Sequence, residues 1–140
     1  MRIVNENGVK VSRTGKVENI PCQFSEWWRN NMHRKAYLTD IDGLMFGYEN
    51  GVPVPLAVME VKESDWFMFG TASVEALTAL AERLAVPCVF VRIVDSDTVE
   101  VAVTRKHLKK ADIPAYCKDK AKTMKYKSFK QLVEKNVYNL

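Results

Sequence analysis

Asp42 and Glu60 stand eighteen residues apart at the ends of two apolar runs, and Lys62 follows two residues after Glu60. The first run closes with Thr39-Asp40-Ile41-Asp42-Gly43, the second with Val58-Met59-Glu60-Val61-Lys62. Charges on an otherwise apolar sheet are costly unless they bind something. Two carboxylates suit a magnesium ion, which takes one or two such ligands and keeps several waters. The carbonyl of Val61 can add a third oxygen. Lys62 can orient or deprotonate an attacking water and offset charge on a phosphorane-like transition state. A metal at such a place lowers the pKa of water and polarises a phosphoryl oxygen. These are the groups that phosphodiester hydrolysis needs.

Between the runs lies Glu49-Asn50-Gly51, and Asn-Gly favours a tight hairpin turn. Residues 37–47 and 52–62 therefore read as antiparallel strands. Pro53 and Pro55 withhold N–H donors near the turn, so that end is frayed or at an edge. A turn centred near Asn50 sets pairing sums of 101 or 102, so Asp42 faces Met59 or Glu60. Strand alternation puts Glu60 and Lys62 on one face with Leu56 and Val58. Asp40 and Asp42 also share a face. Glu-x-Lys alone is a weak signal. Here it is the single Asp/Glu-x-Lys of the chain, and it follows an Asp-bearing strand across a turn. The bland alternative is an exposed Glu60/Lys62 pair closing one strand while Asp40 and Asp42 cap the other.

Around this hairpin, residues 21–34 read as a helix with Phe24, Trp27, Trp28 and Met32 on a packing face. Residues 63–71 read as a loop whose Trp66, Phe67 and Phe69 line a cleft or cover the core. Residues 72–85 read as a helix capped by Thr71, with Val74, Leu77, Leu80, Ala81 and Leu84 inward. Residues 88–94 form an apolar run expected of a strand covered on both faces. Residues 98–104 form a further strand, and residues 128–138 a short amphipathic helix. Residues 105–127 read as lysine-rich and partly irregular. At the N-terminus, Asn7-Gly8 and Thr14-Gly15 suggest turns of a small hairpin. The order helix, strand, strand, helix, strand, strand implies a mixed sheet covered by helices, an α/β (α+β) fold.

The 140 residues suggest a single domain, with 47% apolar and 27% charged residues as in ordinary globular proteins. No run reaches the ~20 apolar residues of a membrane span. The N-terminus lacks a signal-peptide pattern, so a cytoplasmic location is expected. Three cysteines without C-x-x-C, and two scattered histidines, argue against a disulfide framework or zinc cluster. Charge is split along the chain: residues 1–104 carry 10 Lys+Arg against 14 Asp+Glu, whereas residues 105–140 carry 11 against 3. A basic block beside an acidic core suits a polyanion partner, because neutralised phosphates release counterions.

The segments 39–43 and 58–62, with the helix and strand of residues 72–94, resemble the PD-(D/E)XK nuclease superfamily, the restriction-endonuclease-like fold. Leu80-Ala81-Glu82-Arg83-Leu84-Ala85-Val86-Pro87 and the apolar strand after it are similar to small phage-type members. The resemblance spans residues 22–104, which it makes an αβββαβ core, with residues 105–140 as a basic C-terminal extension. It implies a Mg²⁺- or Mn²⁺-dependent endonuclease acting on DNA, in the host-cell cytoplasm if phage-encoded. Asp42 and Glu60 would be metal ligands and Lys62 the catalytic lysine. Glu26 would be the first-helix glutamate that resolvase-like members use. The motif's proline is replaced by Ile41, and the choice between Asp40 and Asp42 stays open. Small size suggests a homodimer, and resolvase-like members suggest branched DNA. Two alternatives remain: a nucleic-acid-binding or regulatory protein of this fold that cuts nothing, and an RNA endonuclease. For the latter, His33, seven residues after Glu26, would be a first-helix manganese ligand.

Overall fold

The computed structural model describes residues 3–4, 10–11 and 20–140, with side chains from residue 26 onward. The chain divides into two compact units, Met1–Asp40 and Ile41–Leu140.

In the first unit, β1 (Ile3–Val4) pairs antiparallel with β2 (Lys10–Val11), the N-terminal hairpin expected from sequence. The turns expected at Asn7-Gly8 and Thr14-Gly15 lie outside the described residues. Helix α1 spans Ile20–Asn31. It stops three residues earlier than its apolar spacing suggested. After it, the backbone N–H of Ala36 donates to the carbonyl of His33 at 2.8 Å, and the Trp28 indole donates to the Ala36 carbonyl at 2.5 Å. Trp28 is half-buried, a packing role.

The second unit is built on a five-stranded mixed sheet in the order β3-β4-β5-β6-β7. Strands β3 (Gly43–Glu49) and β4 (Val52–Lys62) form the expected hairpin. Its turn has positive φ at both Asn50 (52°) and Gly51 (78°), as a two-residue primed turn requires. The pairing sum is 101 from Glu49↔Val52 to Phe46↔Pro55 and 102 from Met45↔Ala57 to Gly43↔Met59. A bulge at Leu56 accounts for the change, so both expected registers occur, one on each side of it. Pro53 and Pro55 precede Val58, where pairing with β5 begins, so no ladder on that side needs their missing N–H. Strand β3 begins at Gly43, six residues later than expected. The Asp42 carboxylate takes the Val61 N–H at 2.8 Å, which a continuing strand would have used.

After β4, residues 66–69 form a short 3₁₀ helix instead of a loop, capped by the Asp65 carboxylate on the Phe67 N–H. Trp66 and Phe69 are buried in the core, and Phe67 is exposed. Gly70 lets this turn approach the next elements. A Cβ there would lie 3.0 Å from the Lys110 carbonyl and 3.0 Å from Pro114. Helix α2 (Ala72–Leu84) starts at Thr71, whose hydroxyl accepts the Val74 N–H, and ends at Ala85 in the left-handed region. It crosses over to β5 (Cys88–Ile93), which runs parallel to β4. Strand β6 (Thr98–Thr104) returns antiparallel. In the turn between them, Asp95 accepts the Asp97 N–H at 2.8 Å.

The segment expected to be an irregular basic extension instead contributes helix α3 (Ile113–Lys120) and strand β7 (Lys122–Lys125), followed by α4 (Tyr126–Asn136). Ile113 and Cys117 are fully buried, and β7 pairs with β6. Loop residues 105–112 are stitched to α2. Glu82 accepts the His107 N–H, Glu75 accepts the Lys110 N–H, and the Thr78 hydroxyl accepts the Leu108 N–H. Lys110 is thus tied to α2 through its backbone while its side chain is exposed.

Helices α2 and α3 cover one face of the sheet over Val58, Cys88, Phe90 and Ala102. On the other face, Phe129 of α4 packs with Ala57, Val89, Val91, Val99 and Val101. The result is an α+β fold with helices on both sides of a mixed sheet. Between α1 and α2 it has two strands, where an αβββαβ core has three.

Candidate functional site

Asp42 immediately precedes β3, and Glu60 and Lys62 lie at the far end of β4. Gly43↔Met59 is the last paired position, so Asp42 falls opposite Glu60. The Asp42 side chain holds the Val61 N–H at 2.8 Å. Val61 directs its carbonyl to the same edge, because a strand residue sends both backbone groups to one neighbour. The geometry thus brings together Asp42, Glu60, Val61 and Lys62.

Glu60 is only 8% exposed, the sole carboxylate buried in this way among the described residues. Burial raises its pKa above the ordinary 4.5. A hydrogen bond from Lys62 partly opposes this, and the negative charge of Asp42 beside it adds to the rise. The Lys62 ammonium sits 3.1 Å from Glu60 Oε1. It also lies 5.9 Å from the centre of the Phe69 ring, within reach of a cation–π attraction. The 3₁₀ helix supplies that ring, and Phe69 is braced by Trp66 and Phe90. Lys62 is therefore held between a carboxylate and an aromatic face, with its side chain 29% exposed.

The other candidates belong to the first unit. Glu26 is exposed on α1. Asp40 lines a recess of about 650 Å³ with Trp28, His33 and Arg34. His33 lies beyond the end of α1, so it does not share a helical face with Glu26. Its Nδ1 accepts the Lys35 N–H at 3.1 Å, the role of a helix-end turn residue. Trp66, 4% exposed, is a core residue and not a stacking platform.

The donor set is all oxygen, which suits a hard divalent cation such as Mg²⁺ or Mn²⁺. The charge of Asp42 raises the cost of ionising Glu60, and a dication relieves that cost. No cluster of three or more His, Cys, Asp or Glu side chains fit to hold a metal occurs among the described residues. Magnesium does not require one, since one or two carboxylates with water and substrate oxygens suffice. The residues present fit such an ion.

Sequence reasoning passed over Arg92 and Glu100. Arg92 pairs across the sheet with Lys62 on one side and Glu100 on the other. Its Nε donates to Glu100 Oε1 at 2.8 Å, and an Nη reaches the same oxygen. One signal was present: Arg92 is the single charge in the run Cys-Val-Phe-Val-Arg-Ile of a strand buried on both faces.

No family model, curated protein or solved structure matches the chain. No helix among the described residues is long and apolar enough to cross a membrane.

Proposed function

We propose that Asp42, Glu60 and Lys62 form the centre of a metal-dependent endonuclease that hydrolyses phosphodiester bonds of DNA. The observation that carries this reading is the buried Glu60, held beside a second carboxylate and a lysine. Burying a carboxylate next to a like charge costs stability, and a bound cation offsets that cost.

Asp42 and Glu60 would hold the ion, with the Val61 carbonyl as a third oxygen. A bound magnesium or manganese ion supplies Lewis acidity, lowering the pKa of water and polarising a phosphoryl oxygen. Lys62 orients the attacking water and neutralises charge that builds on the phosphoryl group. Phe69 and Glu60 fix the ammonium so that little reorganisation is needed at the moment of reaction. Lysines of residues 105–140 supply the counterions for the DNA backbone. Glu26 stays a candidate for a further carboxylate of this centre.

The test is cleavage of supercoiled, linear, branched and single-stranded DNA, and of RNA, with Mg²⁺, Mn²⁺ or EDTA. Lys62→Ala and Asp42→Ala should each lower the rate by about 10²-fold or more while the fold persists. Metal-dependent cutting that survives Lys62→Ala would sink the mechanism. Binding without cutting by the unmodified protein, in either metal, favours a nucleic-acid-binding protein with no hydrolytic role.

A further inference from the structure

The inner strands each carry one charged residue at the same level and on the same face. Lys62 on β4 pairs with Arg92 on β5, and Arg92 with Glu100 on β6. Thr123 on β7 continues the row. The backbone neighbours on the opposite face, Val61, Val91 and Val101, pack into the apolar cluster under α4. The row is therefore not a frayed sheet end surrounded by water. It is a polar strip laid across the helix-covered face of the sheet, beginning at Glu60 and Lys62.

Arg92 is the residue in this strip whose chemistry points to a ligand. Its guanidinium is a planar fork with five donors. The Nε and Nη contacts to Glu100 converge on one oxygen and orient the fork. Its side chain is 25% exposed, so a ligand can reach it. Cross-strand neighbours stand about 5 Å apart, which sets Arg92 one strand away from the Lys62 ammonium. Two cations so spaced can meet successive phosphates of one backbone. An arginine suits the task because its fork matches a phosphate in two parallel hydrogen bonds.

We propose that Arg92 is a phosphate-binding residue that grips the backbone phosphate next to the one at Lys62, with Glu100 as the residue that positions its guanidinium. The proposal rests on the reading of Asp42, Glu60 and Lys62 as a nuclease centre. It adds a second subsite, one strand across from Lys62 on β5.

Binding of a fluorescein-labelled DNA duplex, followed by anisotropy in EDTA over a series of salt concentrations, separates the two ideas. Arg92→Ala should weaken binding about tenfold. It should also reduce the slope of log K against log salt by about one. Arg92→Lys should keep the slope and bind with intermediate strength. Arg92→Ala leaves Glu100 without its partner, so the double variant Arg92→Ala/Glu100→Gln serves as control. It should bind as weakly as Arg92→Ala while melting close to the unmodified protein. Unchanged affinity and slope in Arg92→Ala, or recovery of both in the double variant, overturns the proposal even if cutting is normal. Unmodified protein that binds with the expected Arg92 dependence but cuts in neither Mg²⁺ nor Mn²⁺ removes the nuclease reading and leaves the phosphate subsite standing. No binding by the unmodified protein overturns the phosphate subsite, while cleavage in Mg²⁺ or Mn²⁺ decides the nuclease reading separately.

Discussion

The two faces of the five-stranded sheet are made by alternate residues of the same strands, yet they differ in kind. Under α4 the face is apolar across the inner strands: Ala57, Val89, Val91, Val99 and Val101, with Met45, Met59 and Val61 at its margin. Under α2 and α3 the face is apolar only in part, with Val58, Phe90 and Ala102 buried by the helices. Beyond them it becomes Glu60, Lys62, Arg92 and Glu100. The charges of three inner strands coincide in one row, Lys62, Arg92 and Glu100. Polarity here follows both face and strand end: the charges lie on the face that α2 and α3 cover, past its buried part. The α4 face is packed by apolar side chains. The other face is divided between a core that α2, α3 and the 3₁₀ helix cover and a strip in which charge is retained at a cost.

The largest effect should come from making the apolar face resemble the mixed one. Val99→Asp places an unpaired carboxylate at a fully buried position. It should cost several kcal/mol and leave little folded protein, as read by circular dichroism and thermal melting. A normal melt would show that the α4 face tolerates charge and that the contrast between the faces is superficial.

Smaller, and on the covered part of the mixed face, is the loss expected from Ile113→Ala. Ile113 is fully buried against the core under α3. Its truncation should cost about 2–5 kcal/mol in urea unfolding. A cost near zero would mean that residues 105–125 are the detachable extension their composition suggests.

The smallest effect, and the one of opposite sign, belongs to Glu60→Gln. Burial holds the Glu60 pKa above its ordinary 4.5, so the folded protein keeps this proton where the unfolded chain has lost it. The stability tied to that proton is complete below 4.5 and is lost as pH rises through the folded value. Glu60→Gln should therefore melt higher than the unmodified protein at neutral pH and flatten this part of the pH–stability curve, while abolishing cutting. A lower melting point at neutral pH would mean that the Lys62 contact outweighs the burial penalty. Glu60 would then be a structural ion pair.

Much of this was legible in the chain, for local reasons. Asn50-Gly51 dictates a primed turn, and the turn with the two apolar runs sets the register to within one residue. The bulge at Leu56 needed the structure, because the sums 101 and 102 satisfy the same pattern. Thr71, the apolar spacing after it and Pro87 delimit α2 within a residue. Strand β6 has the bounds that its alternation implies, Thr98–Thr104. Helix α3 and β7 were hidden, since lysines on exposed positions mask the buried Ile113 and Cys117 of α3 and the half-buried Met124 of β7. Asp-Gly and the hairpin count favour Asp42 over Asp40, and the Val61 N–H bonded to Asp42 agrees with that preference.

The residues alone settled the hairpin, the helix after it and, to within one residue, the register that sets Asp42 near Glu60 and Lys62. These depend on turn chemistry and on alternation over a few residues. Tertiary structure alone decided that Glu60 is buried beside Asp42, that Phe69 lies under Lys62, and that Arg92 stands next to Lys62 with Glu100 beyond. Those are contacts between segments brought together by the parallel crossover and the long-range ladder. Their register is set by the burial of whole faces, which no local window of residues contains.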